Sequence, residues 1–453
     1  MKKISYSPLL PLLLTVILLS GCNKFLDIVP VGQVIPTRTS EYRGLMTSAY
    51  ESFPKHRSML SMRGVQIFPY KDSFGLSGFA AYKEVFAWND SENAQGYTEE
   101  FPYQMFYRVT FYCNEVIANG LDAEQDSPEA REQIVAEAYT LRAFSFFELL
   151  NMYAPKYTPE TDSKLAVPLY TEIDTEQTFP PASVGTIYEQ IFSDLDHAES
   201  LMKVRQYTDS TKVYRFSLEG LLALRSRVHL YRSEWAKSLD YARKALQIST
   251  VLEDLNDPKA IMPMRYHSKE NICALEEVVN QTTREYAGVY DEYLKKFRPG
   301  DLRHDKYFAE EYLWYIDGKG WVSKKYPDQG SRCTIRRSEV FLNGAEAAAR
   351  LGNDAEARRL LTPLIRSRYT PEAGTRAITE LNTLSGQSLT DYILLERSLE
   401  YGAEGFDFYD LKRTTQPGFT KMVDGQTVTV KQGDPRYTIP LPLSARQSNP
   451  LLR

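Results

Sequence analysis

An all-α fold of stacked helix pairs, interrupted by long irregular insertions, is predicted by three observations. Apolar residues recur at steps of three and four along several segments, which keeps them on one helical face. Two stretches share one layout of helix, break and helix. The segments between, chiefly 54–100, 154–182, 250–335 and 414–453, hold most of the Pro and Gly and show no clean period.

The first element is a leader. Met1-Lys2-Lys3 is cationic, Leu9 to Leu19 is apolar except for Thr15, and Leu19-Ser20-Gly21-Cys22 ends it with small residues before a cysteine. That is a secretory signal over residues 1–21, too short to span a bilayer as a mature helix. The ending resembles the bacterial lipobox, so Cys22 is the expected lipidation site and new N-terminus. Each buried methylene contributes about 0.8 kcal/mol, so two or more acyl chains hold where one does not. Residues 22–40 read as an extended tether, and the first helix is expected near Glu41.

Helices follow in order. Ala136, Tyr139, Ala143, Phe146, Leu150 and Tyr153 form one stripe, and Ile187, Ile191, Leu195 and Ala198 another, starting at Ser183 or Thr186. Leu221, Leu224, Val228, Tyr231 and Trp235 are followed, after a break at Ser233-Glu234, by Leu239, Ala242 and Leu246. Val340, Gly344, Ala347 and Leu351 are followed, after Gly352-Asn353-Asp354, by Ala357, Leu360 and Leu364. A last helix is expected from about Thr390 to Tyr401. Small residues at fixed positions let paired helices approach closely, the logic of tetratricopeptide-type repeats, in which each pair stacks on its neighbours. The pattern alone leaves open two unrelated αα-hairpins.

Composition narrows the function. The formal charge of −5 becomes about −7 once Lys2 and Lys3 leave with the signal, and no basic run exists. Phosphate neutralisation needs clustered Lys and Arg, so nucleic acid is not an expected partner. Cys113, Cys273 and Cys333 remain: either one pair bridges in an oxidising envelope or all three are buried thiols.

Further motifs occur in sequence order. They are Phe25-Leu26-Asp27 and Pro30 after Cys22; Tyr107, Val109 and Asn114; Ala136 to Phe144 with Phe147 and Tyr153; and Asp301-Leu302-Arg303. Glu396-Arg397, Glu400, Glu404-Gly405, Asp410-Leu411-Lys412-Arg413, Pro440 and Asn449-Pro450 complete the series. Together they resemble the SusD/RagB family, outer-membrane lipoproteins that capture nutrients for a TonB-dependent transporter. Phe406-Asp407, Ala445 and Arg446 depart from its usual C-terminal pattern. The resemblance implies a right-handed superhelical scaffold of four tetratricopeptide-like pairs, one domain over 41–453, with irregular ligand-binding insertions near 54–100 and 250–335. It also implies an outer-membrane, lipid-anchored location facing the cell exterior.

A glycan needs flat apolar platforms beside directional polar groups. Residues 68–107 hold twelve aromatics, and 286–326 hold eleven where the chain average predicts about five. Trp88-Asn89-Asp90 is the leading candidate, an aromatic platform beside two polar groups. Tyr290, Trp314-Tyr315 and Trp321 come next, the last three on what reads as a turn. The plainer reading of such rings is that they pin loops to the scaffold or form a protein interface. Trp235 reads as core.

Catalytic signals are poor. His56, His197, His229, His267 and His304 show no paired metal-ligand spacing, and no nucleophile, phosphate-loop or dinucleotide motif occurs. Asp194 and His197 read as a solvated helix face. Glu396, Glu400 and Glu404 lie on one helix face and cannot flank a scissile bond from both sides. Ion pairs with Arg397, Lys412 or Arg413 are their expected role. No cofactor or metal is expected. The leading expectation is a binding protein that captures an oligosaccharide and passes it to a TonB-dependent transporter. The rivals are a peptide-binding uptake lipoprotein of the same architecture and a helical-repeat envelope scaffold that binds only proteins.

Overall fold

The computed structural model describes residues 36–70, 80–91, 101–173, 178–314, 316–325, 330–423 and 425–452. Cys22, the tether up to Ile35, and Tyr315 lie outside these residues. Helices stack in pairs in chain order: α1 (Thr39–Glu51) with α2 (Tyr103–Asn119), α3 (Pro128–Tyr153) with α4 (Val184–Leu201), α5 (Leu218–Tyr231) with α6 (Trp235–Leu246), and α7 (Arg337–Arg350) with α8 (Asp354–Arg368). Beyond them α9 (Pro371–Leu381) packs on α8, and α10 (Gly386–Glu400) packs on α7. A short α11 (Phe406–Arg413) follows.

Local chemistry sets the boundaries. Ser127, Ser183 and Ser217 each accept a backbone N–H as N-caps of α3, α4 and α5. The turn between α5 and α6 puts Ser233 at φ 60°, and Gly352 stands at φ 73° between α7 and α8, with Asn353 capping α8 through Glu356 N. Both breaks fall where the sequence places them. Gly344 is the close-packing point: a Cβ there would lie 3.1 Å from Leu360 and 3.2 Å from Ala242, on the helices either side of α7. Helix α10 begins four residues before the expected Thr390, because Ser385-Gly386 opens a capping box that reads in sequence as a turn.

The insertions are not featureless. Among the described residues they supply most of the strands of five two-stranded antiparallel sheets. Four strands matter for function. β1 (Ile67–Pro69) pairs with β2 (Ala287–Val289), and β3 (Phe308–Leu313) pairs with β4 (Gly318–Ser323) in a hairpin that rests on β2.

Charge is buried on an unusual scale. Arg303 forks onto Asp301, two residues before it, and reaches Glu396 at 2.7 Å. Glu400 takes Arg368 at 2.9 Å and Arg336 at 3.3 Å, while Glu404 takes Arg336 and Lys325, each at 2.7 Å. These partners correct the sequence expectation. Arg397 binds Asp410, Arg413 binds Glu346, and the Lys412 ammonium donates to the Asn151 carbonyl. Asp194 is another correction: it is buried and takes a two-pronged pair from Arg142, whereas His197 stacks on Tyr139. Burial disfavours the Glu400 charge, but Arg368 and Arg336 outweigh it and hold the carboxyl well below its ordinary range. Cys113, Cys273 and Cys333 are buried free thiols. No helix of the described residues is long and apolar enough to cross a membrane.

Candidate functional site

Strand alternation builds the site. In the β3–β4 hairpin Glu310 faces Trp321 and Tyr312 faces Lys319, so these four side chains share one face. Leu313, Gly320 and Val322 occupy the other, where Leu313 and Val322 are buried and the Tyr70 hydroxyl lies against Gly320. A Cβ at Gly320 would sit 2.0 Å from that hydroxyl, and one at Gly288 on β2 would sit 2.7 Å from it. Only glycine lets the ring wedge the hairpin onto β2. Arg284 adds a salt bridge to Glu311 at 2.7 Å. The inner face is thus fixed and the outer face is left to solvent.

That outer face is aromatic. Tyr312 is 63% exposed, and Trp314, in the turn after β3, is 70% exposed. Trp321 is half-buried, its ring centroid 5.1 Å from that of His304 at a steep angle, which holds the indole by its edge. Diagonal neighbours across an antiparallel pair lie about 7–8 Å apart, so Tyr312 and Trp321 can present one apolar strip. Lys319 and Glu310 supply flanking polar groups, 3.5 Å apart. Trp314 and Trp321 are therefore brought together on one element. Tyr312 was not singled out from sequence; its two-residue spacing from Glu310 and Trp314 in a short alternating run was the available signal.

Tyr290 stands behind the hairpin. It follows β2, its ring 4.8 Å from that of Phe68, and burial pushes its hydroxyl up to about 12. It braces the support rather than sharing the exposed strip.

Trp88 is a correction. Its accessibility is 0%: the indole N–H donates to the Arg63 carbonyl at 3.0 Å, and Phe408, Phe419 and Tyr437 stand edge-on around the ring. The Arg63 guanidinium covers a face at 4.3 Å. No face remains for a sugar ring in this arrangement. Asp90 is committed to Arg63 at 3.1 Å, and Asn89 to Glu84 at 2.5 Å. Burial pushes Asp90 up to about 6 against the pull of Arg63, and drives Arg63 down to about 10. The flanking Asn and Asp suggest a surface loop, but they serve a core arginine.

Two other places bear on ligands. His56, Glu148 and Glu276 are buried within metal-ligand reach of one another. Arg57 already forks onto Glu276 and Tyr409 donates to Glu148, so the carboxylates are engaged in an ion and hydrogen-bond network. A cleft of about 400 Å³ lies between α2, Tyr170, Glu172 and Thr178, and the C-terminal segment. Three of its polar side chains are spent on structure: Tyr107 donates to the Pro168 carbonyl, Asn114 to the Tyr170 and Glu172 carbonyls, and Asn449 to the Phe179 carbonyl.

Residues 61–230 match a SusD-like family described as starch-binding and associating with the outer membrane, and residues 275–452 match the SusD family itself. The chain belongs to the SusD/RagB family. A SusD-like protein of Formosa agariphila is 24% identical, over 72% of this chain and 75% of its own. Among solved structures, a SusD superfamily protein of Bacteroides thetaiotaomicron superposes with a TM-score of 0.72 at 20% identity, covering 91% of this chain and 98% of the other. A SusD-like carbohydrate-binding protein of Bacteroides vulgatus gives 0.70 at 20% identity, covering 91% and 97%. At such identities the likeness establishes the SusD-type helical fold. Among the residues that carry the SusD/RagB resemblance, Arg142, Asp301, Arg303, Glu396, Glu400 and Glu404 form buried ion pairs.

Proposed function

We propose that this SusD/RagB protein is a cell-surface lipoprotein that binds oligosaccharide on the outer face of the β3–β4 hairpin and delivers it to a TonB-dependent outer-membrane transporter. The observation that carries the reading is the pair of exposed rings Tyr312 and Trp314 beside the half-buried Trp321 on a wedged hairpin. Sugar rings present C–H faces to such rings, and a preformed platform avoids an ordering cost on binding. Tyr315, which lies outside the described residues, is proposed as a further ligand contact. The lipid on Cys22 and the tether ahead of α1 would hold the protein at the membrane while leaving it room to meet the transporter. Capture and release need no bond to be broken, so turnover of the glycan is not expected.

Losing one stacking ring removes about 1.5–3 kcal/mol of apolar contact, roughly 10- to 100-fold in affinity. Titration calorimetry of Trp314→Ala and Trp321→Ala against a neutral glycan panel tests this. Weakened binding with an unchanged melting temperature is expected. Wild-type affinity in both variants contradicts the assignment, and preferential binding of a peptide digest contradicts the cargo.

A further inference from the structure

A separate cleft of about 560 Å³ is lined by Ser210, Thr211, Tyr214, Arg265, Tyr266 and His267, with Ala274, Gly330 and Arg332 closing it. None of these described lining residues is a carboxylate. That departs from a chain of net charge −5, in which buried arginines such as Arg57, Arg227, Arg337 and Arg413 are each spent on a carboxylate. Arg332 is exposed and makes no ion pair among the described residues. Its guanidinium is available.

The loops that carry the cations are held in place. The buried side-chain amide of Asn271 donates to the carbonyl of Arg265 at 3.1 Å and to that of Arg332 at 2.9 Å, clamping both backbones with one group. Tyr266 N–H binds Gly330 C=O at 2.9 Å, which ties the same two loops again. Tyr266 is 38% exposed and rests edge-on against His267. Tyr214, Ala274 and Arg332 also line an adjoining cleft of about 300 Å³ that adds Lys55, loosely paired with Glu277 at 4.0 Å, and one carboxylate, Glu51. The two clefts share a wall and suit an extended ligand.

An arginine fork matches a carboxylate or sulfate with two parallel hydrogen bonds, and an adjacent exposed phenol ring matches the face of a sugar. We propose that this cleft is a second carbohydrate subsite, selective for oligosaccharides that carry carboxylate or sulfate groups. Arg332 holds the anionic group, Tyr266 supports the ring, and Asn271 is the positioning residue. This extends the glycan-binding reading above and rests on it.

Calorimetry on the mature chain uses five probes: an oligogalacturonate, a chondroitin sulfate oligosaccharide, a neutral maltooligosaccharide, inorganic sulfate and an oligoglutamate peptide. At least one acidic oligosaccharide is expected to bind 10-fold or more tightly than the neutral one, and to weaken as salt rises. Arg332→Gln should remove 10-fold or more of that affinity with unchanged melting, while Trp321→Ala alters neutral binding. The inference is overturned if acidic and neutral chains bind alike, or if Arg332→Gln keeps wild-type affinity. Inorganic sulfate matching the acidic glycan, or oligoglutamate exceeding it, overturns it too. Neutral binding that survives these outcomes leaves the hairpin reading standing; loss of all oligosaccharide binding removes both.

Discussion

The region around α10 and the β3–β4 hairpin use the same residue types in opposite ways. Around α10 charge is inside: Glu396, Glu400 and Glu404 are buried beneath Arg303, Arg368 and Arg336, and rings such as Tyr369 and Tyr401 lie under the guanidiniums. On the hairpin the rings are outside and the charges flank them. A buried carboxylate deprived of its partner is far costlier than an exposed ring removed. Signature motifs in this chain therefore mark the scaffold, while the proposed ligand surface sits on a hairpin that no motif marks. Trp88 and Trp314 are the sharpest case, one sealed in the core and one 70% exposed.

The contrast can be broken most severely from the inside. Glu400→Ala would take from Arg336 and Arg368 one of the two carboxylates that each holds, leaving them Glu404 and Glu270, and Trp88→Ala would empty a ring-lined site beneath Arg63. Each should cost about 3–5 kcal/mol, read by denaturant unfolding. Stability within 1 kcal/mol of wild type would contradict the burial described.

A pH scan sharpens the comparison. Asp407 is buried beside Gly64, and burial pushes it up to about 6, partly offset by the Val65 N–H and Lys421. Its folded value is raised, so its contribution is fullest below about pH 4 and is lost as pH rises through 6. Glu400 and Glu404 are held low by their arginines, so theirs is present at neutral pH and is lost as pH falls into strong acid. Asp407→Asn should flatten the stability profile between pH 4 and 7 by about 2–3 kcal/mol. An unaltered slope would refute the assignment.

A smaller loss, about 2 kcal/mol, is expected for Gly405→Ala. Its φ is 80°, and a Cβ would stand 2.3 Å from the Arg57 carbonyl. At the bottom of the scale, Trp314→Ala should change unfolding free energy by less than about 0.5 kcal/mol.

Much of the scaffold was legible. The α5–α6 and α7–α8 pairs follow from 3.6-residue stripes punctuated at Ser233 and Gly352, which is local information. The ion-pairing role of Glu396, Glu400 and Glu404 was legible too, but not their partners. Arg303, Arg336 and Arg368 lie 93, 64 and 32 residues away, beyond any spacing rule. Asp194 misled for the same reason, since Arg142 meets it from another helix. For the site, Trp314 and Trp321 were visible as an aromatic excess around a turn. Trp88 and Tyr312 were misjudged or missed because exposure is tertiary: polar neighbours made Trp88 look wet, and a six-residue strand is too short to assign Tyr312 a face.

The most direct test of the account is paired affinity and stability measurement on the Trp314→Ala/Trp321→Ala double variant. The account predicts a loss of more than about 100-fold in oligosaccharide affinity, with unfolding free energy within about 1 kcal/mol of wild type. Wild-type affinity in the double variant would contradict it.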